Sequence, residues 1–257
     1  MLPLLRTLSA AALIAIALPA GALSPPVPPL LGSQQVIVVT TDGWDATDGR
    51  LQAFEQIDGR WQAHGTAFSV TVGRNGSAWG IGRAGVPTDG PQKQEGDGRS
   101  PAGVFDIGPA FGYAATITSA LPYQPMLATS YCMDVPDSPY YNRIVDAEVV
   151  GSDAVAGSTE PMRLDLQTPG DMRYRQGFVI EHNASAQPGR GSCIFAHLWG
   201  KPGQPTAGCT AMQAEHMHAL LGWLDAAKRP RFVLLPRAEY QRLQAGWQLP
   251  VLAGTGR

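Results

Sequence analysis

This chain is short of charge. Asp, Glu, Lys and Arg make up 16% of its 257 residues, against about a quarter in an average domain. No run of Lys or Arg is longer than a pair, and the formal net charge is −2, which excludes the basic stripe that nucleic-acid binding requires. No internal repeat, charge block or composition break divides the chain, so nothing calls for a second domain. Cysteine is scarce too: Cys132, Cys193 and Cys209 are the only three. Three thiols allow at most one bridge within a monomer. A membrane-spanning run is also missing, because the apolar stretch from Leu8 to Leu18 covers about 11 residues, against the roughly 20 that cross a bilayer.

What is plentiful is glycine and proline, 30 and 22 residues, a mixture that favours short strands joined by turns over a helical bundle. The first stretch has one basic residue, Arg6, then the apolar run, then small residues at Ala20 and Ala22. Residues 1–22 read as a secretory signal peptide. No cysteine follows it to accept a lipid, so the expectation is an exported protein of the periplasm or cell envelope, with no stable membrane anchor after cleavage. Residues 23–33 form a Pro-rich linker in which proline stops any helix. Export changes how the cysteines are read, since an oxidising compartment pairs structural thiols and leaves an odd one to be explained.

From Gln34 the pattern is strand and turn, with Asn75-Gly76 as a hairpin signal. The Gly-rich "QEGDGR" stretch reads as an ordered loop, and the region up to about Met172 has no periodicity that assigns it. "RQGFVIEHN" and "SCIFAHLW" then read as two adjacent strands; regular alternation puts Cys193, Phe195 and His197 on one face. Met217, Leu220, Leu221 and Leu224 follow the spacing of a helix with one buried stripe, ended by Pro230. "RFVLLP" is a final core strand, and the tail after Pro236 a short helical segment with a loose end.

Between His197 and Cys209 lies the loop "LWGKPGQPTAG", which can return the cysteine toward the histidine. Thiol chemistry needs that, because the thiolate is the nucleophile and is formed with the help of an imidazole or a helix N-terminus. Cys209 stands about four residues before the predicted helix. Gly208 lets backbone N–H groups approach an oxyanion. By spacing alone, a buried inert thiol is the favoured reading, because a histidine followed by a cysteine is common by chance.

Four segments in order, "KQEGDGRSPAGVFDIG", "YYNRIVD", "GFVIEHN" and "GSCIFAHLWGKPGQPTAGCTAM", together resemble the L,D-transpeptidase family with its YkuD-type catalytic domain. The resemblance rests on Pro101, Gly103 and Phe105, then His197, then Thr206, Gly208 and Cys209, and spans residues 34–236, leaving 237–257 as a C-terminal tail. It implies a mainly β, YkuD-like sandwich or barrel with a few helices, one of them after the cysteine. It further implies an acyltransferase acting on peptidoglycan stem peptides, with a thioester at Cys209, His197 as base and the Gly208 and Cys209 amides as oxyanion hole. Water in place of a second stem's amine would make the same chemistry a carboxypeptidase, and a non-catalytic wall-binding module is the rival of another class. No metal or organic cofactor is implied.

Three positions depart from the family pattern. Ala211 stands where many members have an arginine, Ala207 where a histidine is common, and Leu198 where a glycine is usual. Arg190 and Arg99 are the candidate replacements for the arginine, and His182, Thr206 and Arg190 the candidate substrate-binding residues. For His182 a structural, hydrogen-bonded role competes, and for His216 and His218 a solvated helix face. If Cys209 is the nucleophile, Cys132 and Cys193 are the natural bridge. Oligomeric state is not readable.

Overall fold

Strands outnumber helices along the chain, and their order explains how distant segments come together. The computed structural model describes residues 27–252, so the signal peptide read over residues 1–22 lies outside the described residues. The strands are β1 (Gln35–Thr41), β2 (Asp48–Ile57), β3 (Arg60–Thr71), β4 (Ser77–Trp79), β5 (Ser100–Gly112), β6 (Tyr123–Pro125), β7 (Ser130–Cys132) and β8 (Ile144–Asp146). After helix α1 (Ala147–Val150) come β9 (Glu160–Pro161), α2 (Leu164–Gln167), β10 (Gln176–Ile180), β11 (Phe195–Leu198) and β12 (Thr210–Met212). Helix α3 (Ala214–Trp223), β13 (Arg231–Pro236) and α4 (Arg237–Trp247) complete the order. The protein is mainly β, as expected.

Eight strands close into a barrel, β1-β2-β3-β12-β11-β10-β5-β13 and back to β1. Two of its seams are parallel, β1 with β13 (Val36 opposite Arg231) and β11 with β12 (His197 opposite Ala211). Strands β1 and β13 are buried at every position, lined by the barrel interior on one side and by packed chain on the other. That is why they read as continuous apolar runs instead of alternating ones. Strands β2 and β3 join through Asp58 and Gly59, both with positive φ (50° and 74°), the geometry of a two-residue hairpin loop that follows the strand twist.

The turn at Asn75-Gly76 is present, with Gly76 N–H donating to Gly73 C=O at 2.8 Å. A Cβ at Gly76 would lie 2.0 Å from the Trp44 carbonyl oxygen, so only glycine fits. The hairpin it makes is a single antiparallel bridge, Gly73 with Gly76, beyond which β4 leaves β3 and pairs in parallel with β5. Helix α3 buries Met217, Leu220 and Leu221 as its spacing predicts, yet it stops at Trp223, ahead of Pro230. The helical segment after Pro236 is α4, eleven residues long.

The region that sequence periodicity left unassigned forms a second, three-stranded sheet, β8-β7-β9. We call it the side sheet. Its strands are two or three residues long, too short for alternation to show. A Cys132–Cys193 disulfide ties it to the barrel, immediately before β11.

Candidate active site

Two neighbouring parallel strands, β11 and β12, bring His197 and Cys209 together. His197 lies on β11 opposite Ala211 of β12, and Cys209 immediately precedes β12. The loop between them is pinned along the end of β3: Thr206 N–H donates to Val72 C=O, Arg74 N–H to Thr206 C=O, and the Thr71 hydroxyl to Gln204 C=O. Parallel neighbours require a long crossover, and here a loop supplies it. Because β12 stands between Cys209 and α3, the cysteine is not at the helix N-terminus. The helix therefore does not ionise it, contrary to the sequence expectation.

Two side-chain contacts hold the Cys209 backbone in place. The hydroxyls of Thr206 and Ser100 both donate to the Cys209 carbonyl, at 2.6 and 3.0 Å, and Ser100 in turn accepts from Gly73 N–H. Ser100 opens β5 just ahead of Pro101, which explains why the "SPAGVF" segment belongs with the cysteine. Thr206 Oγ1 also accepts from Gly208 N–H at 3.1 Å. Thr206 thus shapes the cysteine loop, and of the two expected oxyanion donors Gly208 is engaged while the Cys209 amide remains.

The Cys209 thiol is buried. Its Sγ accepts from Phe195 N–H at 3.3 Å and donates to Cys193 C=O at 3.5 Å. Burial pushes its pKa from 9.0 up to about 12, with the Glu160 carboxylate adding to the rise. His197 is buried as well, and burial lowers it from 6.5 to about 4. The resting pair is therefore a neutral thiol and a neutral imidazole at neutral pH. His197 Nδ1 lies 2.7 Å from the Leu198 carbonyl oxygen; a carbonyl can only accept, so Nδ1 carries the proton and Nε2 has the free lone pair. That is the tautomer a general base needs. The ring of Tyr174 packs edge-on against the imidazole, with centroids 5.2 Å apart.

Both residues line a cavity of about 290 Å³. Its barrel side includes Arg74, Ile194, Thr206 and Ala211, and its opposite side Asp134, Glu160 and Tyr174 from the side-sheet region, with Lys93 and Glu95 from the Gly-rich loop. The lining carries both charge signs. Asp97 of that loop is spent internally, on Lys93 Nζ and on the amides of Gln94 and Arg99. Glu95 is the acidic residue that reaches the cavity, held by Tyr141 and Ser192 hydroxyls.

Of the expected substrate-binding residues, Thr206 alone lines this cavity. His182 is 1% exposed, packed edge-on to Phe105, with Nε2 on the Arg190 carbonyl at 2.9 Å. Burial lowers its pKa to about 4, so it fills the structural role. Arg190 contributes that carbonyl, and Arg99 is paired with Asp45 and the Ser77 carbonyl. Neither guanidinium reaches the cavity; Arg173 and Arg74 do, and Arg173 is close enough to depress His197. His216 stacks on Phe68 of β3 with centroids 3.9 Å apart.

Sequence reasoning missed Glu160, Tyr174 and Arg173. Glu160 comes from the region without periodicity and Arg173 and Tyr174 from the turn that follows it, and only their long-range contacts mark them. Comparison with protein-family models, with curated proteins and with solved structures found no match for this chain.

Proposed function

We propose that the protein is an exported cysteine acyltransferase of the L,D-transpeptidase type, acting on peptidoglycan stem peptides. The observation that carries this reading is the placement of His197 on β11 and of Cys209 just ahead of its parallel neighbour β12, both in the wall of one mixed-charge cavity. A stem peptide bears both carboxylates and amines, and a lining with Arg74, Lys93 and Arg173 beside Glu95, Asp134 and Glu160 suits it. The Cys132–Cys193 disulfide accords with export. No described helix is long and apolar enough to cross a membrane.

The chemistry begins from a neutral pair. As Cys209 Sγ adds to the donor carbonyl carbon, its proton passes to His197 Nε2, and the oxyanion that forms is met by the Cys209 N–H. Collapse of that intermediate breaks the C–N bond, and His197 returns the proton to the departing amine, leaving a thioester. An acceptor amine then attacks the thioester carbonyl, and the thiol is restored. The Leu198 carbonyl holds the imidazole in the required tautomer through both halves. Neither a metal nor an organic cofactor takes part.

The test is intact-protein mass after exposure to a carbapenem-like acylating agent. One adduct on Cys209, absent from a folded Cys209→Ala variant, is expected. A wild-type protein that takes no adduct would refute the activated nucleophile and favour the binding module. With purified muropeptides, cross-linked dimers report transfer, whereas shortened monomers alone report hydrolysis.

A further inference from the structure

Glu160 is not used in the thioester chemistry above, although it lies in the wall of the same cavity. It stands on β9 opposite Cys132, and Cys132 is bridged to Cys193, whose carbonyl accepts from the Cys209 thiol. A short path of strand pairing, disulfide and hydrogen bond therefore links the backbone of Glu160 to Cys209. Tyr174 fixes the carboxyl itself, since the hydroxyl donates to Glu160 Oε1 while the ring of the same residue flanks His197. Its position is set from two directions.

The charge pattern around it is unusual for a structural carboxylate. Among the described residues Glu160 is in no ion pair; Arg173 is committed to both oxygens of Asp171, and Lys93 to Asp97. Burial disfavours the ionised form of Glu160 and Asp134 on the same wall adds to it, outweighing the Tyr174 hydrogen bond and the charge of Arg173 and raising its pKa from 4.5 to about 7. An ionised group there also opposes thiolate formation at Cys209. A carboxylate that hinders the first half-reaction calls for a use in the second. Acyl transfer supplies one, because a primary amine arrives as an ammonium ion and cannot attack until it has lost a proton.

We infer that Glu160, oriented by Tyr174, is a catalytic base for the acyl acceptor: its carboxylate receives the acceptor ammonium and removes one proton before the amine attacks the thioester. The step balances. One proton moves from R–NH3+ to Glu160, the freed nitrogen pair forms the C–N bond, and the C–S electron pair leaves with sulfur. The second nitrogen proton passes to His197 Nε2 and from there to Cys209 Sγ, while Glu160 releases its proton to solvent. This inference rests on the acyltransferase reading and assigns which group selects amine over water.

The experiment compares wild-type protein with Glu160→Gln, which keeps the acceptor for the Tyr174 hydroxyl. Three quantities are measured: adduct formation at Cys209, transfer to the amine of a purified stem peptide, and transfer to hydroxylamine, which is uncharged at neutral pH and needs no prior deprotonation. The expected result is unimpaired adduct formation, loss of stem-peptide transfer by about 10²-fold or more, and hydroxylamine transfer within a few-fold of wild type. Equal loss with both amines, or no loss with either, overturns the role. A wild type that forms no adduct defeats the acyltransferase reading itself, which separates the two failures. If Glu160→Gln does not fold, Tyr174→Phe carries the test, with a smaller loss confined to the stem-peptide amine.

Discussion

The barrel and the side sheet solve the problem of stability in different ways. In the barrel, β1 and β13 bury every residue, and a closed ring of eight strands leaves no unpaired edge among them. The side sheet has strands of two or three residues and exposed apolar side chains nearby, Val149 at 81% and Leu166 at 56%. It depends on the disulfide, on Tyr174 and on contact with the barrel wall. The division is also chemical: the barrel holds Cys209 and His197, and the side-sheet region brings Glu160, Tyr174 and Arg173 to them. The barrel strands fix the cysteine and histidine, while a tethered sheet supplies charged and hydroxyl groups to the same cavity.

The sharpest way to break this contrast is in the barrel core. Phe232 of β13 is 1% exposed and paired with both β1 and β5. Phe232→Ala is expected to lower global stability by about 3–5 kcal/mol, read as a reduced midpoint in one cooperative denaturant transition. Next comes the disulfide, which closes a sequence separation of 61 residues. Replacing Cys132 and Cys193 by alanine removes a constraint of about 4 kcal/mol at most. Its loss is expected to appear as selective hydrogen exchange in residues 126–174, with β1 and β13 still protected. Uniform exchange through both regions would show that the side sheet and barrel are one cooperative unit.

The two regions should respond to pH in opposite senses. His182 and His197 are depressed from 6.5 to about 4, so between those values the unfolded chain binds protons that the folded chain refuses. Their contribution is complete above 6.5 and is lost as pH falls toward 4, by roughly 3 kcal/mol at most for each histidine. Glu160 is raised from 4.5 to about 7, so its contribution is complete below 4.5 and fades as pH rises to 7. Protection factors should therefore favure the barrel at pH 7 and the side sheet near pH 5. The same histidine shift predicts that Cys209 acylation shows no decline around pH 6.5, only one near 4. The smallest effect lies at the side-sheet surface: Val149→Ser should change stability by less than about 0.5 kcal/mol, measured by the same denaturant midpoint.

What could be read from the amino-acid order follows the same line. Core strands β1 and β13 and the buried stripe of α3 were legible because burial imposes a pattern on many consecutive residues. Strand β12 was not, since three residues between a loop and a helix carry no period, and the cysteine was accordingly given a helix terminus it does not have. Cys209 and His197 stood out by residue type and order. Glu160 and Tyr174 did not, because their meaning lies in one hydroxyl-to-carboxylate contact that sequence spacing does not encode. The replacement for the arginine missing at Ala211 was sought in Arg99 and Arg190. Neither lines the cavity, whose arginines are Arg74, just after β3, and Arg173, from beside the side sheet.

The parallel seam between β1 and β13 joins Val36–Thr41 to Arg231–Pro236, almost the full length of the described chain apart. The ring cannot shut until its last strand is available to its first. Such non-local pairing makes folding slow, on the order of milliseconds to seconds, and leaves a growing chain open until it is nearly complete. The final strand is thus the latch of the ring, and under the proposed export it would close only after the chain has passed.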